Sequence, residues 1–114
     1  RSLYEALTAA GISRRRAGQL QNLMIHCGYK SFGLNRADAD LCVALRGLPR
    51  AETLALVRAA SEAGHTVAVM SPYDGRVRQA LCRQIVARHG STTVDNRGYL
   101  LIFNPKLPPQ HYRI

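Results

Sequence analysis

The sequence has no tryptophan, two phenylalanines and three cysteines, and each scarcity removes something. Cys27, Cys42 and Cys82 are an odd number of thiols without a C-x-x-C pair, which argues against a disulfide framework. His26 stands beside Cys27, but His65, His89 and His111 are far off, and the set lacks zinc-ligand spacing. The expectation is buried thiols and ordinary imidazoles, with no metal and no cofactor. No apolar run approaches the ~18 residues that suggest a membrane span, and no charged-then-apolar leader opens the chain. A cytoplasmic protein without a membrane partner is expected. The chain starts on Arg1 without a methionine, as a segment of something longer would.

Negative charge is scarce as well. Seven Asp and Glu stand against 16 Lys and Arg, a formal net charge of +9. The lysines are Lys30 and Lys106, so the basic character is carried by arginine, whose planar fork binds phosphate bidentately and stacks on bases. Polyanions are the expected partners, nucleic acid first. The few carboxylates (Glu5, Asp38, Asp40, Glu52, Glu62, Asp74 and Asp95) form no motif with a histidine or a second acid that acid–base or metal chemistry would use. The glycines are isolated terminators and make no phosphate loop. A non-catalytic protein is expected.

What remains is an ordinary globular composition, 46% apolar and 20% charged, in 114 residues, enough chain for one core. Ser2 and Glu5 form a capping-box pattern ahead of the apolar stripe Leu3, Ala6, Leu7 and Ala10. After a turn at Gly11, Ser13 caps a second helix carrying Ala17, Leu20, Met24 and Cys27 and stopped by Gly28. Residues 1–30 thus read as a helical hairpin and 31–40 as a linker. Leu41 to Leu45 predicts a buried strand, Arg50 to Ala63 an amphipathic helix closed by Gly64, and Thr66 to Met70 a strand covered on both faces.

Ser71-Pro72-Tyr73-Asp74 predicts a helix start with Ser71 as cap, and the helix continues to His89. On it Val77, Leu81 and Ile85 share a face, and Arg78, which falls within the apolar arc, is expected to pair with Asp74. Asp95-Asn96-Arg97-Gly98 predicts a hairpin turn in which Asn and Gly take positive φ. Pro105, Pro108 and Pro109 predict that sheet pairing ends, leaving 107–114 as an extended tail. The fold class is α/β, an α+β two-layer body: a helical hairpin followed by a βαβαββ sandwich over 41–106 with a mixed sheet.

Ala44-Leu45-Arg46-Gly47-Leu48, Glu52, Val57-Arg58, Gly64 and Gly98-Tyr99-Leu100-Leu101-Ile102 resemble the TusA/SirA-like family of small sulfur carriers. That topology is shared with nucleic-acid-binding modules such as the C-terminal domain of a translation initiation factor. The resemblance implies the βαβαββ order. It also implies a nucleophilic cysteine directly after the Gly-Leu turn, where this chain has Pro49-Arg50, so Arg50 stands in the nucleophile's place. Ala10-Gly11-Ile12-Ser13 followed by Arg14-Arg15-Arg16-Ala17 and Leu20 resembles a helix-turn-helix, which implies that the second helix reads a major groove.

The candidate binding residues follow from these placements. Arg14, Arg15 and Arg16 sit at a helix start beside free N–H donors, with Gln19 one turn on. Arg76, Gln79 and Arg83 share a face of the helix after Pro72, and Arg97 occupies the hairpin tip as a wing would. The leading expectation is a non-catalytic nucleic-acid-binding protein, DNA ahead of RNA, in a regulatory, replication or mobile-element role. The alternative is an interaction module that docks on an acidic protein. An active thiol carrier would need a reactive cysteine that the spacing does not supply. The oligomeric state is left open.

Overall fold

The computed structural model describes residues 1–103 and 107–114. Ten elements follow in order: α1 (Leu3–Ala9), α2 (Arg14–Cys27), β1 (Phe32–Leu34), β2 (Leu41–Ala44), α3 (Arg50–Glu62), β3 (Thr66–Met70), α4 (Gly75–Arg88), β4 (Thr93–Asp95), β5 (Tyr99–Ile102) and β6 (His111–Arg113). The strands form one mixed sheet in the order β1-β2-β3-β5-β4-β6. β1, β2 and β3 run parallel, β5 runs antiparallel to both β3 and β4, and β6 runs parallel to β4.

Local signals place the helices. The Ser2–Glu5 capping box is formed in full, the Ser13 hydroxyl accepts from the Arg16 N–H, and Gly28 closes α2 in the left-handed region at φ 68°. β3, β-branched and apolar, is buried at every position and lies at the middle of the sheet. One sheet face, with Cys42, Ala44, Val67, Val69, Leu100 and Ile102, packs on Leu56, Val57 and Ala60 of α3 and Leu81, Cys82 and Ile85 of α4. Both helices therefore share a face, as right-handed crossovers require.

The opposite face carries Leu41, Val43, Ala68, Met70, Tyr99 and Leu101, and it is covered by Leu3, Leu7, Ala17 and Leu20 of the helical hairpin. The hairpin is thus a third layer on the same sheet. An antiparallel ribbon alternates, but here both faces of β2, β3 and β5 are apolar, and only a second cover can bury them.

Five local expectations are corrected. Segment 31–40 is no simple linker: Phe32 and Leu34 of β1 lie partly buried against the hairpin, and Gly33 is buried between them. A three-residue strand is too short to show a period. The tail 107–114 holds β6, paired to β4 through Thr93 N–H to the Gln110 carbonyl and Ile114 N–H to the Asp95 carbonyl. Pro108 and Pro109 precede that strand and block only their own positions at a sheet edge; Pro105 and Lys106 lie outside the described residues.

Ser71 does not cap α4. It sits at φ 53° with its N–H bound to the Gly98 carbonyl, and the helix starts at Gly75, capped by Asp74 without a side-chain bond. Arg78 does not pair with Asp74 either; it is buried, and burying it rotates Val77 out to 68% exposure. In the β4–β5 turn the positive φ falls on Arg97 (76°), because Asp95 Oδ1 holds the Arg97 N–H and Asn96 Oδ1 holds the N–H groups of Gly98 and Tyr99. None of the described helices is long and apolar enough to cross a membrane.

Candidate nucleic-acid interface

The strand directions decide where the arginines meet. β1, β2, β3, β4 and β6 all end at one edge of the sheet, where β5 begins. The chain returns from β2 and β3 through α3 and α4, and α2 descends to the start of β1, so all three helices start at that edge and send their N-terminal dipole ends there. Arg14, Arg15 and Arg16 open α2, Arg50 opens α3, and Arg76 follows Gly75 at the start of α4. Arg46 in the loop after β2, Arg97 in the β4–β5 turn and Arg113 at the end of β6 complete the group. Asp40 and Glu62 lie at the opposite end, and Asp38 pairs with Arg36 at 2.8 Å. Glu52, Asp74 and Asp95 lie among these eight arginines, so that end is net basic without being free of acid.

Depressions open at the basic end on both sides of the sheet. On the hairpin side a cleft of about 430 Å³ is lined by the α1–α2 turn, Ser13, Arg16, Leu45, Arg46, Gly47, Met70, Ser71 and Gly98. Arg16 crosses the β4–β5 turn so closely that a Cβ on Gly98 would come 2.2 Å from its Nε. Its Nη1 donates to Gln19 Oε1 at 3.1 Å, so Gln19 positions the guanidinium instead of facing outward alone. Arg46 Nε lies 3.7 Å from Asp74, an exposed pair of little energetic weight.

On the other side α4 stops short of the β4–β6 edge and leaves a cleft of about 340 Å³. Gln79, Cys82, Arg83, Val86 and Ala87 of α4 face Asp95, Leu100, His111 and Arg113 of the sheet, with Pro72 and Tyr73 at one end. A second depression, lined by Tyr73, Asp95, Arg97, Arg113 and Ile114, shares three of those residues, so the two are continuous around the end of the sheet. The Tyr73 hydroxyl donates to Asp95 Oδ2, and that bond, with some burial, raises the Tyr73 pKa above the usual phenol value.

Of the residues expected from sequence, Arg14 and Arg15 are exposed beside the first cleft, and Arg16 lines it. Gln79 and Arg83 line the second, Arg97 borders its outer end, and Arg76 is exposed at the start of α4. Gln79 Nε2 also reaches the Tyr73 carbonyl at 3.4 Å. Arg46, Arg50, Arg113, Tyr73 and Asp95 were not foreseen. Arg46 had a readable signal, since a loop directly after a parallel strand is where ligands of such sheets bind. Arg113 had none until β6 existed.

The thiols sit elsewhere. Cys42 and Cys82 are buried, and burial raises the pKa of Cys42 and pushes that of Cys82 up to about 11. Cys27, expected to be buried, is instead exposed at the last turn of α2, the negative end of that helix, and Arg50 holds the first position of α3. Compared with protein-family profiles, curated sequences and solved structures, the chain finds no match.

Proposed function

We propose that this chain binds nucleic acid without transforming it, DNA ahead of RNA, by laying the phosphate backbone across the arginine-bearing end of the sheet. The setting is cytoplasmic, in regulation, replication or a mobile element. One observation carries the reading: arginines far apart in sequence, from α2, the β2–α3 loop, α4, the β4–β5 turn and β6, meet at one end, with three helix N-termini aimed the same way. Guanidinium groups and free helix N–H donors are the groups that seat phosphates, and the eight arginines at this end outnumber the carboxylates Glu52, Asp74 and Asp95 that share it.

The α1–α2 pair contributes through its turn and the start of α2. Its Leu7, Ala17 and Leu20 are spent on the sheet, and Arg14, Arg15 and Asn22 remain on the outer side. The test is fluorescence anisotropy with duplex DNA, single-stranded DNA and RNA across a salt series. Affinity should fall steeply with salt, and replacing Arg14, Arg15 and Arg16 by Ala should flatten the log–log slope by about 0.9 for each phosphate no longer neutralised. Binding that ignores salt, or no binding at all, overturns the reading and favours docking on an acidic protein.

A further inference from the structure

The cleft between α4 and the β4–β6 edge is more than a stretch of basic surface, because a buried acid lies in it. Asp95 is 8% exposed and, among the described residues, forms no ion pair, although Arg113 is its direct partner in register. Its Oδ2 accepts from the Tyr73 hydroxyl and its Oδ1 from the Arg97 N–H. A carboxylate offers about four acceptor positions, so each oxygen keeps a further one.

The geometry points to this cleft as the seat of one unstacked nucleotide, guanine before other bases. Two adjacent acceptors complement two adjacent N–H donors, and among the common bases only guanine presents an imino and an amino group side by side on its pairing edge. Adenine and cytosine set one donor beside an acceptor, and uracil and thymine set one donor between two acceptors. Leu100 and Val86 supply apolar walls, and the half-exposed Tyr73 ring supplies a stacking surface whose hydroxyl is already anchored on the same carboxylate. Arg83 and Arg113 line the cleft where the attached phosphate would sit. A volume of about 340 Å³ fits a single base and sugar. The nucleotide can be free or part of a strand. Only the second case rests on the function proposed above.

Calorimetry with GMP, AMP, CMP and UMP tests the first case, and anisotropy with oligothymidylate carrying or lacking one internal dG tests the second. GMP should bind about 10-fold more tightly than the other three, the factor expected of one good paired contact. The Asp95→Asn variant keeps an acceptor for the Arg97 N–H but turns the other oxygen into a donor. It should lose the guanine preference and gain affinity for AMP. Arg113→Ala should weaken GMP and leave the nucleoside guanosine unaffected, a comparison that survives if the Asn variant does not fold.

GMP binding without strand binding keeps the cleft and sinks the polynucleotide function. Strand binding with no gain from dG and equal mononucleotide affinities sinks the cleft alone. A folded Asp95→Asn protein with an unchanged GMP-to-AMP ratio would show that Asp95 only holds the turn, and would overturn the proposal.

Discussion

The Arg78 guanidinium donates to the Met70 carbonyl through both Nη2, at 2.9 Å, and Nε, at 3.2 Å. Nη2 also reaches the Leu45 carbonyl at 3.1 Å, and Nη1 approaches that of Leu48 at 3.5 Å. One buried side chain thus ties the carboxyl ends of β2 and β3 together directly beneath the basic end. Burial lowers its pKa, with Cys82 and Asp74 acting in the other direction, yet an arginine remains charged at any physiological pH.

Removing that tie leaves buried carbonyls without donors. Arg78→Ala should cost roughly 2–3 kcal/mol, read as a lower urea midpoint with an unchanged slope. Arg78→Lys should recover only part of it, because an ammonium cannot reproduce the planar fork that serves the Met70 and Leu45 carbonyls together. Equal stability of the Ala variant and the parent would refute the tie.

Gly98 has no positive φ, and its hydrogen is needed because Arg16 lies where a Cβ would be, 2.2 Å from Nε and 2.5 Å from Cζ. The obstruction is a flexible side chain, so Gly98→Ala should change the melting temperature little and push Arg16 off the turn. Its effect on nucleic-acid affinity should then match that of Arg16→Ala, and the two changes combined should do no more than either alone.

The Tyr73 phenol has a raised pKa in the folded protein, chiefly through its hydrogen bond to Asp95. A raised pKa stabilises the fold fully below the unfolded phenol value, near 10, and that contribution disappears as pH climbs through the folded value. In an alkaline titration followed by tyrosinate absorbance, Asp95→Asn should bring one phenol down toward the ordinary range. Tyr29 and Tyr99, raised mainly by burial, should stay late.

Cys27 is exposed, whereas Cys42 and Cys82 are buried with raised thiol pKa values. A thiol reagent at neutral pH should therefore label one cysteine quickly in the native protein and all three after denaturation, with mass spectrometry giving the site. Early labelling of Cys82 would mean that α4 lifts from the sheet.

Much of the local structure was readable because its causes are local. Ser2 with Glu5, Ser13, Gly28 and the run Thr66–Met70 each carry their own signal in the neighbouring residues, and α1, α2 and β3 follow from them. β1 and β6 escaped notice, since three residues such as Phe32–Leu34 or His111–Arg113 become strands only when a finished neighbour offers its hydrogen bonds. Arg78 misled for a related reason: helical periodicity shows that it faces the core, but its partners are carbonyls 8 and 33 residues away.

The amino-acid order by itself determined the excess of arginine, the helices and their caps, and the apolar strands at the centre of the sheet, because propensity, capping and alternation act within a few residues. Tertiary structure alone decided that the helical hairpin covers the second face, that Asp95 is buried beneath Tyr73, and that scattered arginines meet at one end. Those outcomes depend on strand direction and on which surfaces meet, and both are settled only when distant segments pack against one another.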